Sequence, residues 1–284
     1  LAIALASVAF ERCLAAEALQ AIEIPGDRAF MESITAGPDD TLYVSSLASG
    51  GIARVKPGAS KAEEWIAPAA FGSRSTFGVF ADAKSNTLWV CSNDMSGLGV
   101  DGPGHAIGSH LKGFDLSTGD GKISAQFPGK TNLCNDMTVA SDGTVYVTIP
   151  SRRKFCKDGI AIGSDGDIYV NTLNGGDFFR VEVKDGKPGA VTTLETSRPL
   201  KLPDGLRLVS GQNFLMVEGS GSLDHVTVNG DKVSIATIKD GLKSQPELQR
   251  WAARLGSRKV SCRIFSTRKP MVHRAFRSKS CQSL

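Results

Sequence analysis

The segment SDGTVYVTI, residues 141–149, decides the fold because its pattern recurs along the chain. A turn rich in Asp, Gly, Asn or Ser is followed by an apolar residue, an aromatic residue and Val. Turn residues followed by β-branched and aromatic residues predict a β-strand. The other copies are PDDTLYVSS (38–46), KSNTLWVCS (84–92), SDGDIYVNT (164–172) and, with a weaker match, SGQNFLMVE (210–218).

The spacing of these copies predicts a repeat architecture. Tyr43 and Trp89 are 46 residues apart, and Tyr169 and Met216 are 47 apart. Further strand and turn patterns, such as GIARVKPG (51–58), lie between the copies. A period of about 45 to 50 residues that holds four short strands is typical of a β-propeller blade. The sequence therefore predicts an all-β chain with a β-propeller fold.

One interval is too short for a blade. Tyr146 and Tyr169 are only 23 residues apart, and the segment PSRRKFCK (150–157) between them is basic and unlike the other connections. Half a blade is therefore missing near 150–157. We expect an incomplete propeller.

Composition and charge limit the class of partner. The chain is 41% hydrophobic and 22% charged, which excludes collagen-like, disordered and multi-span membrane proteins. The net charge of +4 divides into −5 for residues 1–246 and +9 for residues 247–284. The body is mildly acidic, so the overall charge does not indicate a nucleic-acid partner.

The first residues predict export. LAIALASVAF (1–10) is long enough for a signal-peptide core and too short to span a bilayer, and small residues follow it at 15–18. We interpret residues 1–20 as a signal peptide and expect a periplasmic or secreted protein; a buried N-terminal helix is the alternative. In an oxidising compartment Cys91 and Cys134 can form a disulfide, or both can be small buried apolar residues.

The strand pattern stops after Pro246, so the predicted propeller covers residues 21–246. Residues 247–284 carry ten basic residues and one acid, although a blade strand is due there. The neighbouring reading frame permits the string GVTAVGGxAWVAEG, which has the missing turn and strand pattern. We interpret residues 247–284 as frameshifted or disordered; a basic interaction arm and a divergent terminal helix are the alternatives.

Four polar residues precede the repeated strands at similar distances. Glu32, Asn135 and Asp158 each lie 11 residues before the aromatic residue of the repeated strand that follows, and Asp204 lies 12 before Met216. Equal offsets put these side chains at one height on successive blades, around the central channel. Carboxylate and amide oxygens suit a hard cation. The alternative is that they only form turns, since Asn-Asp and Asp-Gly commonly begin strands.

Short motifs around these residues resemble those of a known family. Lys201-Leu202-Pro203-Asp204-Gly205, Asn135-Asp136 and Phe30-Met31-Glu32, together with the blade repeats, are similar to the regucalcin (senescence marker protein) and gluconolactonase family. The resemblance covers residues 23–246 and implies a six-bladed propeller with one divalent cation in the channel. Ca²⁺ is expected first, with Mg²⁺, Mn²⁺ or Zn²⁺ as alternatives.

The resemblance also implies residue roles. Glu32 and Asp204 match metal ligands of the family, and Asp158 stands where the family has a metal-binding Asn. Asn135 matches an amide beside the substrate that also approaches the ion. The implied activity is hydrolysis of a small sugar lactone, with the cation polarising the carbonyl and Asp204 or Asp158 accepting a proton from water. The alternatives are a binding propeller with a structural metal and an inactive, truncated gene product.

Overall fold

The computed structural model describes residues 22–25, 30–95, 108–128, 133–149 and 157–242, and the backbone of 263–267 and 279–280. Within these ranges the only helical segments are two single 3₁₀ turns, Ala70–Gly72 and Ala83–Ser85. No helix of the described residues is long and apolar enough to cross a membrane. The prediction of an all-β chain is confirmed.

The first two blades are complete four-stranded antiparallel sheets, each a meander in chain order. Blade 1 consists of β1 (Met31–Ala36), β2 (Leu42–Ser46), β3 (Ile52–Val55) and β4 (Glu63–Ile66). Blade 2 consists of β5 (Ser75–Asp82), β6 (Thr87–Asn93), β7 (Ser109–Asp115) and β8 (Gly121–Gln126).

Blade 3 is the interrupted one. This part of the chain supplies only its two inner strands, β9 (Met137–Val139) and β10 (Val145–Ile149), before the next blade begins at Lys157. The half blade that the 23-residue interval leaves out corresponds to the two outer strands. The prediction of an incomplete propeller is confirmed at this position.

Blades 4 and 5 are again complete meanders. Blade 4 consists of β11 (Lys157–Ile162), β12 (Ile168–Thr172), β13 (Phe178–Lys184) and β14 (Lys187–Thr196). Blade 5 consists of β15 (Pro203–Ser210), β16 (Asn213–Glu218), β17 (Ser222–Asn229) and β18 (Lys232–Lys239). Their outermost strands pair in parallel at Glu195–Thr196 and Lys232–Val233, which merges the two blades into one eight-stranded sheet.

Two short strands of the tail pair with the interrupted blade 3, in place of the outer strands that its own segment lacks. The backbone of β19 (Arg263–Thr267) pairs with β10 over five residues, and β20 (Lys279–Ser280) pairs with β19. The edge of β10 is therefore covered. The predicted signal peptide, residues 1–20, and the remainder of the segment 247–284 lie outside the described residues.

The repeated aromatic residues form the core between blades. Tyr43, Trp89, Tyr146 and Tyr169 are all buried. Burying such a side chain stabilises the fold by about 1.5 to 3 kcal/mol. Blade 1 packs on blade 2 through a cluster that includes Tyr43, Val90 and Phe114, and blade 4 packs on blade 5 through a cluster that includes Tyr169 and Phe214.

One flank of blade 1 and one flank of blade 5 remain exposed. Met31 and Ile34 of β1 are 40% and 52% exposed, and Val209 and Val217 of blade 5 are 55% and 40% exposed. In a propeller the two faces of a blade are normally covered by its neighbours. These two flanks are where a further blade would stand between blade 5 and blade 1.

Candidate functional site

The innermost strand of every blade carries a β-bulge at the same level, where two residues oppose one. Register shifts mark it in β1, β5, β11 and β15. In blade 3 the Asn135 N–H donates to the Thr148 carbonyl at 2.9 Å, and the Thr148 N–H donates to the Asp136 carbonyl at 2.9 Å. The bulged pairs are Glu32-Ser33, Phe77-Gly78, Asn135-Asp136, Asp158-Gly159 and Asp204-Gly205.

This shared bulge accounts for the equal offsets in the sequence. Each of the four predicted residues is the first residue of its bulge, so each has the same position in its blade. The register also corrects one assignment. Leu215 pairs with Arg207 as Tyr43 pairs with Thr35, so Leu215 and not Met216 stands at the aromatic position of blade 5. Measured to Leu215, the offset of Asp204 is 11 residues as well.

The bulges bring neighbouring inner strands into direct contact. The Gly78 N–H donates to the Asn135 carbonyl at 2.7 Å across blades 2 and 3. The Asn171 side-chain amide donates to the Asp204 carbonyl at 2.6 Å across blades 4 and 5. Within blade 4, the Asn171 Oδ1 accepts from the Gly159 N–H at 2.9 Å. A Cβ on Gly78 or Gly159 would lie within 2.5 Å of these backbone carbonyls, so the approach requires glycine.

A charged cluster lies where the inner strands converge. The Arg207 guanidinium donates to both Asp136 oxygens, from Nη1 at 2.7 Å and from Nη2 at 3.1 Å. Its Nη2 also donates to Ser33 Oγ at 3.2 Å and to the Val79 carbonyl at 3.4 Å. An arginine of blade 5 thus reaches blades 1, 2 and 3 across the channel.

Two further carboxylates face this cluster. Burial, and then the negative charge of Asp136, raise the pKa of Asp204 to about 6. Burial, followed by the charges of Asp204 and Asp136, raises the pKa of Glu32 well above its usual range. The positive charge of Arg207 lowers both pKa values but does not cancel the increase. Arg207 therefore pairs directly with Asp136 and acts electrostatically on Glu32 and Asp204.

Asn135 and Asp158 form a separate contact beside the cluster. The Asn135 side-chain amide donates to Asp158 Oδ1, and both residues are buried. The Asp158 carbonyl accepts from Thr148 Oγ1 at 3.0 Å, which ties blade 4 to blade 3. The structure thus places Asn135 against Asp158, and brings Asp204 close enough to Glu32 for its charge to act on that carboxyl.

The donor chemistry of the cluster fits a hard cation. In the described part of the chain, no three His, Cys, Asp or Glu side chains are close enough to form a ready metal site. However, Glu32 Oε2 is buried without a hydrogen-bond partner. A buried carboxylate oxygen is costly unless it is paired, and oxygen ligands are those that Ca²⁺ and Mg²⁺ prefer. Glu32 and Asp204 are the residues that would hold the ion.

Sequence reasoning missed two members of the cluster. Of the Asn135-Asp136 pair it selected the amide, whereas the carboxylate of Asp136 is the group that pairs with Arg207 and acts electrostatically on Glu32 and Asp204. Arg207 was not selected at all. Arg207 lies three residues after the first bulge residue, at the position that Thr35 and Thr138 hold in other blades. An arginine where other blades have threonine was the signal in the sequence.

The predicted disulfide is present and lies next to the site. Cys91 of β6 is bonded to Cys134 with the two Cα atoms 5.2 Å apart. Asn93 reinforces the link, because its side chain accepts from the Cys134 N–H and donates to the Cys134 carbonyl, both at 2.8 Å. These contacts fix the backbone immediately before Asn135.

Solved structures provide the comparison for this architecture. A gluconolactonase from Xanthomonas campestris superposes with a TM-score of 0.57 at 16% identity, over 84% of this chain and 83% of its own. The two chains share the β-propeller fold. A structural-genomics target assigned as a gluconolactonase gives a TM-score of 0.58 at 13% identity, over 86% and 87% of the two chains.

Other enzymes share this propeller. A catalytically inactive variant of virginiamycin B lyase from Staphylococcus aureus, solved with quinupristin, superposes with a TM-score of 0.54 at 17% identity. That match covers 86% of this chain and 79% of the lyase. No protein-family model matches the sequence, and no curated protein matches it. At these identities the likeness establishes the propeller fold, and function has to be argued from the site.

Proposed function

We propose that this protein is a divalent-cation-dependent lactone hydrolase of the gluconolactonase type, acting on a small sugar lactone in the propeller channel. The observation that carries the proposal is the set of carboxylates at the bulges, above all Glu32 with its unpaired buried oxygen and Asp204, whose charge acts on Glu32. A cation held by these two residues, Ca²⁺ before Mg²⁺, Mn²⁺ or Zn²⁺, would polarise the lactone carbonyl.

The residues of the chain supply the rest of the chemistry. In its ionised form Asp204 accepts a proton from the attacking water, whose oxygen bonds to the carbonyl carbon. The ring C–O bond then breaks and the released ring oxygen takes up a proton. Asp158 is a weaker candidate for the base than the sequence suggested, because its Oδ1 accepts from Asn135. Asn135, held by Asp158, is the proposed substrate amide.

The proposal is tested by hydrolysis of an aldonolactone, followed with a pH indicator, before and after removal of divalent cations with a chelator. We expect Glu32→Ala and Asp204→Ala to lower kcat/KM at least about 100-fold. Glu63→Ala is the matched control, since Glu63 lies on β4 and pairs with Arg54 at the surface. Hydrolysis that survives both substitutions and the chelator would exclude this mechanism.

A second candidate function is a non-catalytic binding propeller with a structural cation. The exposed flank of blade 1 favours it, because residues such as Met31, Ile34 and Val44 line an apolar groove of about 290 Å³ there. Cation binding without turnover of any lactone would support this candidate over the hydrolase. A chain that binds neither cation nor lactone would match the inactive, truncated product.

We also propose that the protein is exported to the periplasm or secreted. The Cys91–Cys134 disulfide supports this location, because such bonds persist in oxidising compartments and are rare in the cytosol. Cell fractionation of the full-length gene product tests it, and recovery in the cytosolic fraction with free thiols would contradict it.

A further inference from the structure

We propose that the Arg207 side chain supplies a fixed positive charge in the channel, which neutralises Asp136 and keeps that carboxylate away from a bound divalent ion. This inference rests on the proposed cation site but concerns a residue that the site does not need as a ligand. It predicts that Arg207 determines how tightly the ion binds and which carboxylates bind it.

The geometry of Arg207 is that of a specific ion pair. Its two terminal nitrogens contact the two oxygens of Asp136 at 2.7 and 3.1 Å, a bidentate arrangement that lysine cannot reproduce. Both Asp136 oxygens are therefore occupied. Asp136 is also buried, so its carboxylate has little water to replace the guanidinium.

Three groups besides Asp136 also accept hydrogen bonds from the guanidinium. Ser33 Oγ and the Val79 carbonyl both accept from Nη2, and the Leu206 carbonyl accepts from Nη1 at 2.9 Å. The same Ser33 oxygen accepts from the Val79 N–H at 3.3 Å, so it belongs to the contact between blades 1 and 2. Arg207 thus contacts groups of blades 1 and 2 and of its own blade as well as Asp136 of blade 3, and its position does not depend on Asp136 alone.

The charge balance of the channel also favours this role for Arg207. Glu32, Asp136 and Asp204 carry three negative charges when ionised, and Arg207 supplies one positive charge. A divalent ion beside Glu32 and Asp204 would neutralise the remainder. Without Arg207, Asp136 becomes a third free carboxylate and a repelling positive charge is lost, and both changes favour the ion.

The test is titration of the full chain with Ca²⁺ by isothermal calorimetry, after chelator treatment. We expect Arg207→Met to bind Ca²⁺ at least about 10-fold more tightly than the wild type, which equals about 1.4 kcal/mol. Adding Asp136→Asn to Arg207→Met should remove the gain. Arg180→Met is the matched control, since Arg180 also joins two blades, through Asp231 and the Gly230 carbonyl.

A second pair of variants covers the case in which Arg207→Met does not fold. Arg207→Lys keeps the positive charge but cannot occupy both Asp136 oxygens, so it should bind Ca²⁺ about 3-fold more tightly than the wild type, a smaller gain than that of Arg207→Met. Asp136→Asn alone leaves the guanidinium uncompensated and should weaken binding about 10-fold. Unchanged or weaker binding by folded Arg207→Met, with the wild type still binding Ca²⁺, overturns this inference and leaves the hydrolase proposal intact. Absence of Ca²⁺ binding in every variant overturns both.

Discussion

Substitution of Gly159 tests whether the inner strands meet as closely as the structure shows. Gly159 is the second residue of the β11 bulge, and a Cβ there would lie 2.3 Å from the Asp204 carbonyl oxygen and 2.6 Å from the Leu206 nitrogen. An ordinary contact is about 3.4 Å or more, so β11 and β15 would have to separate by about 1 Å. Both contacted atoms are backbone, which cannot rotate away.

We expect Gly159→Ala to lower the free energy of unfolding by about 3 kcal/mol, the upper end of the usual cost of overpacking. For a chain of this size that corresponds to a decrease in Tm of about 6 to 12 °C. The displaced strand carries Asp204, so Ca²⁺ affinity should fall as well. Urea denaturation and calorimetric Ca²⁺ titration measure the two effects.

Gly205→Ala is the control, because Gly205 has the same bulge position in β15. Its Cβ would have Val217 Cγ2 at 3.7 Å as its nearest neighbour, an ordinary contact. Reducing the freedom of the unfolded chain should then make the variant equal to or up to about 1 kcal/mol more stable than the wild type. Equal destabilisation by the two substitutions would refute the reasoning, since it would require a strand packed against the open side of β15.

Three further predictions concern the disulfide, the acidic cluster and the tail. Replacing Cys91 and Cys134 together by Ala should lower the free energy of unfolding by about 4 kcal/mol, because the bond closes a loop of 43 residues, and urea denaturation with and without reductant measures it. The pKa of Asp204 is raised to about 6, so the cation-free protein should gain stability as pH falls from 7 through 6 toward 4. Asp204→Asn should show a smaller gain, because only Glu32 then keeps a raised pKa, and a pH profile of the variant parallel to the wild type would count against the cluster. The DNA across codons 145–284 should show, in the neighbouring frame, a strand pattern after codon 246; an early stop codon there would refute the frameshift interpretation.

The sequence was sufficient for the architecture and for part of the site. Turn and strand patterns are local, so five repeats and the short interval before Tyr169 predicted the blades and the interrupted third one. The offset of 11 residues selected Glu32 and Asp204 because a bulge at a fixed place in each hairpin sets that distance within one blade. The pairing of Cys91 with Cys134 was one of two open alternatives.

The tertiary structure decided which of these side chains meet. Arg207 is 71 residues from Asp136 and 174 from Ser33 in the chain, and no local pattern relates residues on three different blades. The pairing of the β19 backbone with β10 is equally non-local. A repeat fixes the height and face of a residue within its own blade, whereas contacts across the channel depend on how all the blades are arranged around the axis. For that reason the sequence determined the propeller, and only the assembled channel placed a guanidinium among the predicted carboxylates.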